Sequence, residues 1–322
     1  MAGIERQKLT LCHPIRLLVK QAKTVLLDIK GNPISKFLTN AAVIEFDSLV
    51  KHNYQAYGKL RNTVTLRTGV RGESYKFTRM GQGLANQKAS QADVTPMDIS
   101  HARQTASMEN WNAGDYTDIF DQAEVNFDEK AELAKTIAKA LGRREDQIII
   151  NAMNGGTYSA TPGDDPDTGY LVADGGANLT EAKLREAALS GLTDRNVDDM
   201  DRTLAVTAAG VQSLMGEEKV TSSDFVTLKA LIGGTMDQAT FMGFRVCLLG
   251  SRLEGGLPQT GNIVSAFGYH KEAIGYAVGL DMQTRVDWIA QKTSWLANGV
   301  MKSGAVIREN AGIVKIEYDV TA

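Results

Sequence analysis

Cysteine is nearly absent from this chain. Cys12 and Cys247 stand far apart, so neither a disulfide framework nor a zinc spacing can be built from them. Both are expected to be idle thiols of a reducing cytoplasm. An excess of positive charge is also missing. Lys and Arg number 35 against 38 Asp and Glu, a formal net charge of −3. That excludes the basic balance of a direct nucleic-acid binder, though not a container that encloses nucleic acid without gripping it. Long hydrophobic runs are lacking too. The stretch Leu17–Ile29 is broken by Lys20, Lys23 and Asp28, so it is neither a bilayer span nor a signal peptide. The expectation is a soluble protein made in the cytosol, with no membrane partner.

Catalytic constellations are missing as well. The four histidines, His13, His52, His101 and His270, show no metal-ligand spacing and lie near no nucleophile motif. Gly81-Gln-Gly83 has Asn86 where a dinucleotide loop needs its third glycine, and it falls between strands instead of opening a helix. Asp164–Gly169 fails the ligand alternation of a calcium loop, and no acid closes it. No catalytic residue, cofactor or metal site is therefore assigned.

What the chain does have is a normal apolar content of 43%, 31 glycines and only 6 prolines over 322 residues. This is a folding chain with many turns and close backbone approaches, in one to three domains. Residues 1–58 show weak, mixed periodicity and lack the apolar density of an independent domain. Thr63–Thr68 and Ser74–Met80 alternate polar with apolar, the period of half-exposed strands. The polar run Gly81–Ala92 reads as a loop, and a third extended piece covers roughly Val94–Trp111. Together they predict a long hairpin with too few apolar side chains for a core of its own, one that packs on a partner.

Phe120, Ala123, Phe127, Ala131, Ala134, Ile137, Ala138 and Leu141 form one stripe at helical spacing. Acids (Asp115, Asp118, Asp121, Glu124, Asp128, Glu129 and Glu132) crowd its first half, and bases (Lys135, Lys139, Arg143, Arg144) its second. That order complements the helix macrodipole and predicts one helix over Asp115–Leu141, about 40 Å long, with a kink or end at Gly142. Asp121 with Glu124 could share a helix face as paired acids, but dipole and solvent account for the pattern without catalysis. Residues 154–178 read as a Gly- and Asp-rich surface loop.

Residues 179–285 read as a compact α/β domain. Helices are expected over Glu181–Ser190, capped by Thr180, over Ala208–Met215, over Asp224–Ile232 and briefly over Lys271–Val278. Strands are expected at Arg202–Thr207, Phe244–Leu249 and Ile263–Tyr269. A final strand pair, Gly304–Arg308 and Ile313–Tyr318, is joined by a turn at Asn310–Gly312.

An extended arm, a long hairpin, one long helix, an α/β domain and a closing strand pair make an α+β chain. This order resembles the Hong Kong 97-type fold of tailed-bacteriophage major capsid proteins. Local stretches are similar as well: Val50–Leu60, Tyr75–Gly81, Tyr116–Phe127, Gly142–Gln147, Phe241–Arg245 and Phe267–Gly275. The resemblance covers about residues 45–320 and rests on the number and order of these stretches.

It implies an N-terminal arm (1–58), an E-loop lying over an adjacent subunit (59–112) and a P-domain with a spine helix (113–189). An A-domain (190–285) and C-terminal strands returning to the P-domain (286–322) follow. The implied function is a non-enzymatic shell subunit that self-assembles through hexamers and pentamers around double-stranded DNA. Its expected partners are itself, scaffolding and portal proteins, with weak non-specific contact to packaged DNA. Its place is the virion capsid, assembled in the bacterial host cytoplasm. An encapsulin-type nanocompartment shell and a soluble enzyme using the acidic helix are the alternatives. Candidate intersubunit residues are Tyr75, Phe77 and Arg79 on the hairpin, Asp118, Asp121 and Glu124 among the acids, and the basic pair Arg143 and Arg144.

Overall fold

The computed structural model describes residues 57–124, 129–163, 165–216, 240–250, 252 and 254–321; the side chains of 121, 122, 124 and 129 are not among those described. The expected arm therefore lies outside the described residues apart from its last two, as do Cys12 and the helix expected at Asp224–Ile232. In chain order the elements are β1 (Thr65–Thr68), β2 (Ser74–Met80), β3 (His101–Ser107), β4 (Glu109–Asp118), α1 (Ile119–Glu124) and α2 (Glu129–Asn154). Then come β5 (Tyr158–Ser159), β6 (Gly169–Val172), α3 (Glu181–Ala188), β7 (Arg202–Thr207), α4 (Ala208–Gly216), β8 (Thr240–Phe241) and β9 (Phe244–Leu249). The chain closes with β10 (Gln259–Thr260), β11 (Ile263–His270), β12 (Ile274–Ile289), β13 (Ser294–Ile307) and β14 (Ile313–Asp319). None of the described helices is long and apolar enough to cross a membrane.

The described strands form three sheets. The largest has the order β5-β6-β14-β11-β7-β9-β8, with β10 paired to β11 at one side. Its central strands are buried on both faces, as their near-continuous apolar sequences require. Leu204, Val206, Phe244, Val246, Val264, Val314 and Ile316 point to one core, beneath α3 and α4. The alternate residues Ala205, Cys247, Leu249, Phe267 and Tyr269 point to a second. Thr180 caps α3 as its sequence predicts, its side chain accepting from the Lys183 N–H.

A four-stranded sheet has the order β1-β12-β13-β4. Its middle is a hairpin of two long strands that pair from Ile274↔Ile307 to Ile289↔Ser294. The third sheet is β2-β3, antiparallel from Ser74↔Ser107 to Met80↔His101.

Helix α2 ties the two larger sheets together. Ile137 and Leu141, in its first half, pack on Ala297 and Met301 of β13. Ile149, Ile150 and Met153, in its second half, enter the core shared by Phe267 and Tyr269 of β11 and Ile274 and Tyr276 of β12. The residue composition suits this length: between Glu129 and Asn154 only Gly142 is a poor helix former. Gly142 does not end the helix. It sits inside, where the incoming chain crosses: a Cβ on Gly142 would stand 3.0 Å from the Gly58 nitrogen, and one on Gly58 would overlap the Gly142 carbonyl oxygen.

Five sequence expectations need correction. The helix expected over Asp115–Leu141 is not one element. Residues 109–118 pair with β13 from Glu109↔Ser303 to Asp118↔Ser294, and α1 and α2 follow. Sheet pairing outweighs a helical spacing that Phe120 and Ala123 share by position alone.

Lys271–Val278 is no helix beyond the 3-10 turn Lys271–Ala273; from Ile274 the chain enters β12. The closing strands exist but are not a pair. β13 bonds β12 and β4, β14 bonds β11 and β6, and Asn310–Gly312 is a 3-10 turn passing between sheets. Finally, Thr65–Thr68 does not join the hairpin but runs parallel to β12, and the third extended piece divides at Met108 between two sheets.

Candidate assembly surfaces

The β2-β3 hairpin is two-faced. Ser74, Lys76, Thr78 and Met80 are exposed, while Tyr75, Phe77 and Arg79 turn inward. Phe77 is only 7% exposed and packs with Ala106, Ala277 and Val306. Tyr75 meets its ring edge-on with centroids 4.8 Å apart, and the Arg308 guanidinium lies 5.7 Å from the Phe77 centroid. Arg79 pairs with Asp167 at 2.8 Å. The three hairpin residues picked out in the sequence thus fasten its base to their own subunit. Beyond that base the pairing ends at Gly81, whose N–H donates to the Ser100 carbonyl at 2.7 Å. Leu84, Val94 and Met97 then lie in the open, with Leu84 82% exposed.

A second apolar surface surrounds the end of β4. Tyr116, Ile119 and Phe120 are exposed, Phe120 by 72%, and so is Trp288 at the far end of β12. The Lys292 ammonium sits 3.9 Å from the Tyr116 ring, and Trp288 and Trp295 meet edge-on at 5.2 Å. Asp118 caps α1, accepting from the Phe120 N–H at 3.0 Å. Asp121 and Glu124 lie on α1 itself, beside this surface in sequence.

Arg143 and Arg144 lie on α2, not in a terminal basic patch. Arg144 is held within its own subunit, stacked 4.0 Å from the Trp111 ring and paired with Glu254 at 2.5 Å. It also lines a cavity of about 420 Å³ with Thr105, Ser107, Glu109, Trp111 and Ile148.

Sequence reasoning missed the residues that follow the basic pair. Asp146 is fully buried and Glu145 nearly so. Asp146 Oδ1 accepts from the backbone N–H groups of Lys59 and Leu60, both at 2.9 Å, and Oδ2 accepts from Lys59 N–H at 3.1 Å. Glu145 accepts from Arg61 at 2.9 Å and from the Tyr276 hydroxyl at 3.2 Å. Arg61 also forks onto Asp281 at 2.8 and 3.0 Å. Burial pushes the Asp146 carboxyl up to about 6, against the two backbone amides and Arg252, which favour its charged form. Burial likewise raises Glu145, countered by Arg61. The signal available in the sequence was two adjacent acids at the one point of a helix where its apolar stripe is turning inward.

The family model described as phage capsid protein matches residues 38–320. The chain belongs to the phage capsid protein family. No curated protein matches this capsid protein, but solved structures of phage shells do. The head of Helicobacter pylori bacteriophage KHP40 is similar with a TM-score of 0.68 at 11% identity, over 91% of this chain and 98% of that one. The capsid of cyanophage P-SCSP1u gives 0.65 at 16% identity, over 91% and 97%. The structure titled Mycobacterium phage Che8 gives 0.60 at 17% identity, over 84% and 95%. At such identities the likeness establishes a shared mixed α+β fold, and the family establishes the function of a major capsid protein, a self-associating shell subunit of the virion.

Proposed function

We propose that this capsid protein builds the icosahedral head of a tailed phage as hexamers and pentamers around double-stranded DNA, without catalytic activity of its own. Assembly would take place in the bacterial cytoplasm with scaffolding and portal proteins. In this reading the β2-β3 hairpin with its connection is the E-loop and α2 is the spine helix. The four-stranded sheet belongs to the P-domain, and the eight-stranded sheet with α3 and α4 to the A-domain. The A-domain then also takes in β5, β6 and α3 before residue 190 and β14 after residue 312, and the chain leaves it at Ala273–Ile274 in place of residue 285.

The observation that carries the reading is the hairpin. Its base is fastened by Phe77 and Arg79, but Met80, Leu84, Val94 and Met97 project without cover from the described residues of their own subunit. A two-stranded ribbon of this kind is marginal in water, and a neighbouring copy would bury its tip. Asp118, Asp121 and Glu124, beside the exposed Tyr116 and Phe120, would supply an acidic rim to a second contact between copies, and Arg143 a cation.

Negative-stain electron microscopy of the purified full chain, produced with its scaffolding partner, tests this. Closed particles are expected. A stable monomer that never assembles under these conditions would overturn the reading.

A further inference from the structure

The Asp146 site joins two parts of the fold. One side is α2, packed on the four-stranded sheet through Ile137 and Leu141. The other is the connection from β9 to β10 in the eight-stranded sheet, which contains Arg252, Glu254 and Gly255. Three polar ties hold that connection against the helix. Arg252 lies 3.7 Å from Asp146 Oδ2. The Gly255 N–H donates to the Gln147 side-chain oxygen at 2.8 Å. Arg144 pairs with Glu254 at 2.5 Å. The fit is close: a Cβ on Gly255 would lie 2.8 Å from the Arg143 carbonyl oxygen.

The two oxygens of Asp146 have different work. Oδ1 takes both chain-entry amides at 2.9 Å, with a longer second contact from the Lys59 N–H to Oδ2 at 3.1 Å, and the Oδ1 bonds need only a carbonyl oxygen, charged or not. Oδ2 faces Arg252, and that attraction needs the negative charge. The Arg252 side chain is 14% exposed, and its guanidinium nitrogens have no hydrogen-bond partner among the described residues. Its burial therefore depends on the opposite charge of Asp146. We propose that Asp146 is a proton-operated latch: charged, it holds Arg252 and the 252–256 connection on α2; protonated at Oδ2, it keeps the Lys59 and Leu60 amides but releases that connection.

The surroundings set where this happens. Glu145, next to it on α2, is occupied by Arg61 from the chain entry and Tyr276 from β12, and Arg61 is shared with Asp281. Tyr269 of β11 faces the site, donating to or accepting from Thr63 at 2.6 Å. The Lys59 ammonium is turned away onto the Leu248 carbonyl at 3.0 Å. Arg252 is thus the cation that faces Asp146 itself, opposed by the neighbouring Glu145.

Burial lifts the Asp146 carboxyl from 3.8 to about 6, so the latch operates over mildly acidic pH. A raised carboxyl means that the folded state binds the proton more tightly than the unfolded one. Its stabilising contribution is full below 3.8 and lost as pH rises through about 6. The bound proton thus stabilises the folded subunit as a whole, and the apolar packing of Ile149, Ile150 and Met153 carries no charge; what acid removes is the attraction between Asp146 and Arg252, and with it the charged one of the ties that hold this connection.

Hydrogen exchange of the full chain, followed in peptides spanning Arg252–Leu257 at pH 5 and pH 7.5 and normalised to intrinsic rates, tests the latch. Protection at pH 5 is expected to be about tenfold lower, equivalent to ~1.4 kcal/mol, while peptides of α2 stay protected. Asp146→Asn should exchange fast at both pH values. Arg252→Gln leaves the helix and its amide clamp untouched, so it serves even if the first variant fails to fold; it should behave like the wild type at pH 5. Equal protection of the wild type at both pH values, or a pH response that survives Arg252→Gln, would overturn the proposal.

Discussion

Where Gly58 crosses Gly142, the chain runs backbone against backbone. Hydrogen bonds from Lys59 and Leu60 to Asp146 begin one residue later. The crossing distance and the carboxylate clamp are therefore one device, and neither residue at the crossing has room for a side chain. Gly58→Ala forces the entering chain off α2 and stretches the three amide contacts to a buried carboxylate. The expected cost is about 1–3 kcal/mol, the range for overpacking a tight site. It reads out as a lower urea midpoint of the full chain with an unchanged slope. An unaltered midpoint would mean that the entry segment does not rest on the helix. Phe77 obeys the same logic in an opposite sense: its ring fills the space above Gly275, where a Cβ would meet three ring carbons within 2.9 Å.

At the scale of elements, the hairpin tip and the sheets respond differently to deletion. Residues 82–92 contribute no side chain to any of the four buried clusters. Removing Gln82–Ala92 should leave the thermal transition of the soluble subunit within a few degrees of wild type, while particles fail to form or break at lower temperature. Loss of the folded subunit itself, by circular dichroism, would show that the tip supports the core.

The same contrast explains what the sequence made legible. Short strands with strict alternation, such as Ser74–Met80, and apolar runs buried on both faces, such as Phe244–Leu249, were readable because each carries its own period. β12 and β13 were not. Residues such as Gly275, Gly279, Gly299 and Gly304 look like turn signals, yet here they let the helix and hairpin approach the sheet closely. The helix boundary was misplaced for a related reason: the partner of residues 109–118 lies almost two hundred positions downstream, and no local period reveals it. Of the candidate surface residues, the sequence located the hairpin, and the structure packs Phe77 on its own subunit. It passed over Asp146 because burial of a carboxylate is a tertiary fact.

At the scale of the whole molecule, the question is how a subunit with net charge −3 treats DNA. Binding by phosphate neutralisation needs clustered, available cations, and its affinity falls with salt in proportion to their number. The sequence offers three local groups: Lys20 with Lys23, Arg67 with Arg71, and Arg143 with Arg144. The first pair lies outside the described residues. In the last, Arg144 is already stacked on Trp111 and paired with Glu254, so using it on phosphate would break both contacts. Arg67 and Arg71 are exposed on β1 and the turn after it. Two such cations predict a log-log salt slope of about −2 per subunit, far from that of a dedicated DNA binder. We expect unassembled subunits titrated with short duplexes at physiological salt to bind weakly and without sequence preference. Arg67→Gln with Arg71→Gln should flatten the salt slope while leaving particle formation intact. Tight or sequence-dependent binding by the wild type would contradict a shell held together by contacts between its own subunits, and would make the packaged DNA a structural partner of this protein.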